Sequence, residues 1–206
     1  KMKWRVVDKT GSIVPTAGTY RSWKPQLARE AQLQCVYCCI HESNFGGIRN
    51  FHVEHFKPKS LFPALENEYS NLFYACGICN VFKSDDWPAD LRDDEFDKNG
   101  YPNPSTVNYA DFLNTDPETG KVISDYQVGR YVIERLHLNR PQMIGLRSLS
   151  SVMERLKTSM VKIRSLHESG EIPADMKNAV IEVLLRINDL LTRRTEARPY
   201  GVDQLR

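Results

Sequence analysis

The stretch of sequence that decides the fold is bounded by CVYC at residues 35–38 and CGIC at residues 76–79. Two Cys-x2-Cys segments that meet in space supply four thiolates, the ligand set that zinc binds tetrahedrally at roughly 2.3 Å. The sequence therefore predicts a structural zinc site, whose ligands would be Cys35, Cys38, Cys76 and Cys79. Two alternatives stay open: thiols that pack without a metal, and a redox-active Cys-x2-Cys pair.

The residues between and just after the cysteine pairs predict two strands and a helix. FHVEHF at residues 51–56 and NLFYAC at residues 71–76 are rich in apolar and aromatic residues typical of strands. A short helix is expected over residues 80–84, before Trp87-Pro88 ends it. The expected fold class is therefore α+β, with this small core fastened by zinc.

The rest of the chain divides by its local signals. The 206 residues include 41% apolar and 26% charged residues, close to the average for a globular protein. The predicted organisation is an N-terminal extension at 1–34, the zinc module at 35–98, a hairpin and linker at 99–126, and a helical region at 127–206. Helices are expected over 24–33, 128–136, 141–167 and from Pro173, a hairpin over 109–124, and a solvated acidic loop over 85–97. The apolar stripes of the last two helices are expected to be core, which predicts a C-terminal helical bundle.

Charge is distributed unevenly along the sequence. Residues 1–126 carry 14 Lys and Arg against 17 Asp and Glu, a net charge of −3, whereas residues 127–206 carry 14 against 9, a net charge of +5. The two values sum to +2. This excess favours contact between the C-terminal part and a polyanion, although a solubilising surface has the same composition.

The ends of the sequence and the remaining cysteine bear on the cellular compartment. No apolar run approaches the roughly 18 residues that cross a bilayer, and the first ten residues lack the apolar stretch of a signal peptide. We therefore expect a cytoplasmic protein with no membrane partner, in which disulfides are rare. Cys39 is expected to be a small buried residue, because a closed four-thiolate zinc site has no fifth position.

A constellation of polar residues accompanies the cysteine pairs. Its members, in order, are Glu54, His55, Asn71, Asn80 and Lys83. Together with the cysteines, this order resembles the zinc-fastened branch of the HNH endonucleases. The resemblance covers residues 35–84. It implies the ββα-metal (HNH) fold, in which two strands and a helix hold one catalytic divalent ion.

Three of these residues have the chemistry that phosphodiester hydrolysis needs, namely a proton acceptor for a water nucleophile and ligands for a cation. His55 is the expected acceptor because an imidazole titrates near neutral pH. Glu54 and Asn80 offer the oxygen ligands that Mg²⁺ or Mn²⁺ prefers. Each has a plainer alternative: His55 as a hydrogen-bonded strand residue, Glu54 as a surface strand residue, and Asn80 as a helix N-cap.

The remaining members have supporting roles. The resemblance implies that the Asn71 amide braces the segment of the general base, although an Asn before a strand is also a common turn residue. Lys83, Lys57 and Lys59 are expected to contact phosphates of a nucleic acid. Solvated lysines are the alternative for these three.

The function expected from this pattern is a metal-dependent HNH endonuclease that acts on DNA. The longer pattern EHFKPKS at residues 54–60, with LNRP at residues 138–141, is similar to HNH nucleases of bacterial antiphage defence, of the Septu and retron-associated kind. That resemblance implies a companion ATPase as a partner. Two alternatives stay open: an endonuclease of RNA such as tRNA, and a non-catalytic four-cysteine zinc module that binds nucleic acid.

Overall fold

The structure is a computed structural model that describes residues 3–9, 19–169 and 176–195. Its helices are α1 (Lys24–Glu30), α2 (Gly77–Lys83), α3 (Gln127–Arg135), α4 (Pro141–Glu168) and α5 (Met176–Thr195), and its strands are β1 (Phe51–His55), β2 (Leu72–Cys76), β3 (Asn114–Thr115) and β4 (Val122–Ile123). The protein is therefore a mixed α/β protein with small antiparallel sheets. The chain divides into two compact units, Lys1–Met153 and Glu154–Arg206.

The strands β1 and β2 form an antiparallel hairpin at the centre of the first unit. Phe51 lies opposite Cys76 and His55 lies opposite Leu72. All five residues of β2 are buried, as expected for an uninterrupted apolar run. The helix α2 begins directly after β2, so the CGIC segment spans the end of a strand and the first turn of a helix.

Aromatic side chains dominate the core around this hairpin. The ring of Phe51 stacks on the ring of Tyr74, with centroids 4.6 Å apart. The fully buried aromatic residues are Tyr37, Phe51, Phe73, Tyr74, Tyr101, Tyr109 and Phe112. Large rings bury much apolar area per residue, so this core gives the short β1–β2 hairpin the packing that an isolated hairpin lacks.

Two helix ends differ from the sequence prediction. The helix α1 ends at Glu30, earlier than predicted, and the chain then adopts left-handed conformations at Gln32 (φ 51°) and Leu33 (φ 60°). Such residues end a helix and reverse the chain. The helix α2 begins at Gly77, earlier than predicted, and Cys76 is its N-cap residue.

The acidic loop at residues 85–97 is anchored rather than fully solvated. Asp86 accepts hydrogen bonds from the hydroxyls of Tyr101, at 2.6 Å, and Tyr131, and it pairs with Arg135 at 3.2 Å. Partial burial raises the pKa of Asp86, but these donors more than offset burial and hold the pKa below its usual range. The expectation of a solvated loop was wrong at this residue, because charge composition does not reveal donors supplied by α3 and the tyrosine core.

The predicted hairpin at residues 109–124 forms with very short strands, β3 and β4. Gly120 has φ +72°, and a Cβ there would lie 2.4 Å from Oγ of Ser148, so this position requires glycine. The Asn139 amide pairs with both backbone groups of Val122, at 2.7 and 2.8 Å. This contact ties the residues before α4 to the hairpin.

The two long helices leave part of their apolar stripes exposed. In α4 the exposed members include Met153 and Met160, and in α5 they include Val183 and Leu184. The expectation that these stripes form a core is therefore not met there, because an amphipathic stripe is buried only where another surface covers it. The predicted start of the last helix at Pro173 lies outside the described residues. None of the helices described is both long and apolar enough to span a membrane.

Candidate metal and nuclease site

The four predicted zinc ligands converge where β2 meets α2. Their sulfur atoms all lie within 4.8 Å of one another, and the residues are Cys35, Cys38, Cys76 and Cys79. The sulfurs of Cys38 and Cys76 are 3.7 Å apart, close to the roughly 3.8 Å between two thiolates bound tetrahedrally to one zinc ion. All four residues are buried. The cluster therefore fits a closed structural zinc site.

Cys39 stays outside this cluster. It is buried and adopts a left-handed conformation (φ 60°), and its N–H donates to the carbonyl of Cys35 at 2.9 Å. Burial raises the pKa of its thiol far above the usual value, so the thiol stays protonated and unreactive at neutral pH. The expectation of a small buried cysteine is confirmed.

An arginine from a distant part of the chain lies against the cysteine cluster. Nη2 of Arg140 is 3.4 Å from the sulfur of Cys38 and 3.9 Å from that of Cys76, and Nη1 is 3.9 Å from the sulfur of Cys79. Burial lowers the pKa of Arg140, but the thiolates raise it by more, so its guanidinium is held charged. Zinc bound by four thiolates would carry two net negative charges, which this cation would partly neutralise. Sequence reasoning assigned Arg140 no role, although it lies in the LNRP stretch.

His55 is held in one orientation and one tautomer. Its Nε2 lies 2.9 Å from the carbonyl oxygen of Glu66. Because a carbonyl only accepts, the proton is on Nε2 and the lone pair is on Nδ1. Nδ1 has no hydrogen-bond partner in the described part of the chain, and the ring edge contacts Tyr20 at 4.6 Å between centroids. Burial lowers the pKa of His55, which favours the neutral imidazole that a general base requires.

Asn71 holds the loop that carries these contacts. Its amide nitrogen donates to the carbonyls of Lys57 at 3.0 Å and Leu65 at 3.2 Å, and its amide oxygen accepts from the N–H of Lys57 at 2.8 Å. The two hydrogen bonds to Lys57 fix the backbone just after His55, and the hydrogen bond to Leu65 fixes the backbone just before Glu66. The buried amide therefore acts on the imidazole through the backbone on both sides.

Glu54 and Lys83 form a buried ion pair. Nζ of Lys83 is 2.8 Å from Oε1 of Glu54 and donates to the carbonyl of His55 at 3.0 Å, and the Tyr37 hydroxyl donates to the same Oε1 at 3.4 Å. Burial raises the pKa of Glu54, and the ammonium limits that rise. Oε2 of Glu54 has no hydrogen-bond partner among the residues described. Lys83 is fully buried, so its ammonium faces Glu54 and not the surface, where a phosphate contact was expected.

An open cleft of about 400 Å³ adjoins these groups. Its lining residues are Tyr20, His52, Val53, Glu54, His55, Pro58, Lys59, Ser60, Asn80, Ser84 and Asp85. The side-chain amide of Asn80 makes no hydrogen bond to any described residue. Asn80 is also not the N-cap of α2, since Cys76 occupies that position. The cleft therefore brings together an imidazole, a carboxylate and an unengaged amide, and His52 and Asp85 are acceptor groups that the sequence did not assign to it.

The two predicted surface lysines are both engaged by carboxylates. Lys57 pairs with Asp90 at 2.8 Å, and Lys59 pairs with Glu66 at 3.0 Å. Only Lys59 also lines the cleft. Exposed pairs of this kind contribute little stability, but each reduces the local positive charge that would attract a phosphate.

Comparison with known proteins adds no family assignment. No known protein family matches the chain, and no curated protein sequence matches it.

Proposed function

We propose that the protein is a Mg²⁺- or Mn²⁺-dependent endonuclease of the HNH type, which hydrolyses phosphodiester bonds of DNA. The observation that carries the proposal is the state of His55. Its Nε2 is fixed on the Glu66 carbonyl at 2.9 Å, which leaves Nδ1 as a proton acceptor beside the cleft. A non-catalytic zinc module has no use for a braced, neutral imidazole next to a carboxylate.

The donor set in the cleft suits a hard divalent cation. Oε2 of Glu54 and the amide oxygen of Asn80 are both free of hydrogen bonds among the described residues, and both residues line the cleft. Such oxygens are the ligands Mg²⁺ prefers, usually with several waters. When bound there, the cation would neutralise the scissile phosphate and the departing 3′ oxygen. The four thiolates cannot take this role, because they close the coordination sphere of zinc.

The residues then divide the reaction between them. His55 Nδ1 accepts a proton from water as the water oxygen attacks phosphorus and the bond between phosphorus and the 3′ oxygen breaks. The products are a 5′ phosphate and a 3′ hydroxyl, whose proton comes from solvent. Asn71 keeps the imidazole in place through the backbone of the loop, and Lys83 holds Glu54 and the His55 carbonyl together.

The order β1, β2, α2 supports the finer proposal of a ββα-metal core fastened by zinc. The two strands pair along their whole length, and α2 carries both the last zinc cysteine and Asn80. By fixing Cys79, zinc would fix the adjacent Asn80 on the cleft. In this proposal the zinc positions the catalytic groups and takes no part in the chemistry.

The test is incubation of the purified protein with supercoiled plasmid, linear DNA and total RNA, each with Mg²⁺, Mn²⁺ or EDTA. We expect Mg²⁺ or Mn²⁺ to support cleavage of DNA to products with 5′ phosphates. Mild EDTA treatment that leaves zinc bound should stop the reaction, and added Mg²⁺ should restore it. Cleavage that persists in EDTA, or 2′,3′-cyclic phosphate ends on RNA, would overturn the roles given to Glu54 and Asn80.

We extend the proposal to antiphage defence with a companion ATPase, on the sequence resemblance of residues 54–60 and 138–141. We expect phage to form fewer plaques on cells that express the protein together with such an ATPase than on cells that lack the pair. His55→Ala should remove this protection. If His55→Ala protects cells as well as the wild-type protein does, the defence role does not depend on nuclease activity.

A further inference from the structure

A second open cavity, of about 330 Å³, adjoins the cleft. The two share Tyr20, His52 and Val53 among their lining residues, so they adjoin at these three residues. The remaining lining residues of the second cavity are Arg21, Lys24, Arg49 and Phe51. We call this second cavity the basic groove.

The cations of the basic groove come from three separate short elements. Arg21 lies in a 3-10 turn at Tyr20–Trp23, Lys24 begins α1, and Arg49 lies in a 3-10 turn at Ile48–Asn50. Arg21 and Lys24 precede the residues 35–84 that the HNH resemblance covers, and Arg49 lies within them but is not one of the residues that carry it. The tertiary structure alone therefore assembles the three positive charges beside the cleft.

The electrostatics of the basic groove favour a polyanion. None of the described residues that line it carries a carboxylate. No ion pair within 4 Å engages Arg21, Lys24 or Arg49 in the described part of the chain, and both arginines are exposed. Burial lowers the pKa of Lys24, and the charge of Glu42 offsets part of this effect. The Glu42 carboxylate itself accepts a hydrogen bond from the Tyr74 hydroxyl at 2.6 Å.

The lysines predicted to contact phosphates differ from the cations of the basic groove in their partners. Lys57 and Lys59 are paired with carboxylates, and Lys83 is buried against Glu54. In the basic groove, by contrast, no carboxylate of the described residues lies within 4 Å of Arg21, Lys24 or Arg49, although residues 1–126 carry a net charge of −3. A cleft lined by charges of one sign concentrates the electric field, and a positive one attracts a phosphate backbone.

We propose that the basic groove binds the phosphodiester backbone of the nucleic-acid substrate on one side of the scissile phosphate. The inference rests on the proposed nuclease function, because the groove adjoins the cleft that His55 lines. Arg21, Lys24 and Arg49 each contact one phosphate. The substrate backbone thus runs over the start of α1 and not over Lys57 and Lys59.

The test measures binding without cleavage, by fluorescence anisotropy of a labelled 30-base-pair DNA duplex in EDTA. The groove variant combines Arg21→Gln, Lys24→Gln and Arg49→Gln. The plot of log affinity against log salt has a negative slope, and each lost phosphate contact reduces the magnitude of that slope by about 0.9 for duplex DNA. We therefore expect the three substitutions together to reduce its magnitude by about 2 to 3. Binding at low salt should weaken by more than about tenfold.

A matched control removes the same charge elsewhere. It combines Arg92→Gln, Lys98→Gln and Lys121→Gln, exposed cations that line neither the cleft nor the basic groove. We expect the control to keep the wild-type salt slope. Equal losses in both variants would mean a long-range effect of net charge and would overturn the assignment of the groove.

Two further arms keep the test decisive. Arg49→Gln alone changes one exposed side chain and should lower the slope by about 1, even if the triple variant folds poorly. The double variant Lys57→Gln, Lys59→Gln should leave the salt slope unchanged. If the double variant reduces the magnitude of the slope and the groove variant does not, the nucleic-acid backbone follows these lysines and the proposal fails. Repeating the series with single-stranded DNA and RNA identifies which phosphodiester backbone the groove prefers.

These outcomes separate the groove from the nuclease. Normal binding by the groove variant, together with Mg²⁺-dependent cleavage by the wild-type protein, would refute the groove and leave the nuclease standing. Weakened binding by the groove variant, with no cleavage by the wild-type protein under any divalent cation, would support the groove as a binding site and refute the nuclease.

Discussion

The cysteine cluster and the cleft are built on the same hairpin and helix, yet they have opposite physical characters. The cluster is buried on all sides, and its four sulfurs are equivalent donors within 4.8 Å of one another. The cleft is open to solvent and combines an imidazole, a carboxylate and an amide from three positions. The difference teaches that one short segment can contain a closed cluster of thiols, which suits a soft metal, and an open cleft whose oxygen donors suit a hard one.

The two sites also differ in how their charges are balanced. Arg140 lies against the thiolates, at 3.4 Å from the nearest sulfur. Lys83 lies against Glu54 at 2.8 Å. In the first case the cation would offset the charge that remains once zinc binds. In the second it occupies one oxygen of a candidate ligand and leaves the other available. Four substitutions test this contrast.

The largest effect is expected from Cys76→Ala, which removes one thiolate from the closed site. Structural zinc supplies on the order of 10 kcal/mol of folding free energy in small domains, so the variant should lose zinc and unfold the module. Zinc content after purification without added metal and circular dichroism measure the two losses. Cys39→Ala is the control and should keep the zinc, since Cys39 lies outside the cluster. A folded Cys76→Ala protein with one zinc per chain would contradict the assignment.

The next effect is expected from His55→Ala, which removes the proposed proton acceptor from the open cleft. Loss of a general base typically costs about 10² to 10⁴ in rate. Cleavage of plasmid in Mg²⁺ should fall by that factor, while zinc content and the affinity for a DNA duplex stay at wild-type values. Full cleavage by this variant would favour the alternative of a zinc module that only binds nucleic acid.

Lys83→Met tests the buried ion pair between Lys83 and Glu54 of the cleft. Removing one partner leaves the Glu54 carboxylate buried and uncompensated, which typically costs about 3 to 5 kcal/mol. Urea denaturation at neutral pH should show this loss of unfolding free energy. Adding Glu54→Gln should recover part of it, because the amide carries no charge. Unchanged stability in Lys83→Met would instead fit a solvated lysine free to reach a phosphate.

The smallest effect is expected from Arg140→Met, which removes the guanidinium from the cysteine cluster. Loss of an outer contact to a metal ligand typically lowers metal affinity by about 10- to 100-fold. Transfer of zinc to a chromogenic chelator should therefore be faster than in the wild-type protein, with Arg140→Lys intermediate. Arg130→Met, at an exposed position of α3, is the control. Identical zinc transfer in all four proteins would reduce Arg140 to a packing residue.

Sequence reasoning was most accurate where a single local signal determines the structure. The paired Cys-x2-Cys spacing predicted the cysteine cluster, and the apolar runs predicted β1 and β2 nearly to the residue. The predicted end of α1 was wrong, because the left-handed turn at Gln32 and Leu33 contains no glycine, the residue that usually indicates such a turn in a sequence. Asp86 was also missed, because its donors come from 15 to 49 residues further along the chain.

The lysines and the basic groove show the limit of such reasoning at the candidate site. Lys57, Lys59 and Lys83 are near the right segment in sequence, but their partners are decided by which carboxylates pack beside them. A long, flexible side chain has no periodic signal that states whether it ends at the surface or inside. Arg21, Lys24 and Arg49 are scattered along the chain and become one surface only after folding.

The sequence by itself determined the chemistry available to this protein: four thiolates at zinc spacing, an imidazole next to a carboxylate, and an amide beside the last cysteine. These are local properties, because donor type and short spacing survive in any arrangement of the chain. Only the tertiary structure decided which of these groups are free, with the Glu66 carbonyl fixing the tautomer of His55 and the burial of Lys83 turning it toward Glu54. Protonation, pairing and exposure depend on neighbours that are distant in sequence, and folding alone brings them together.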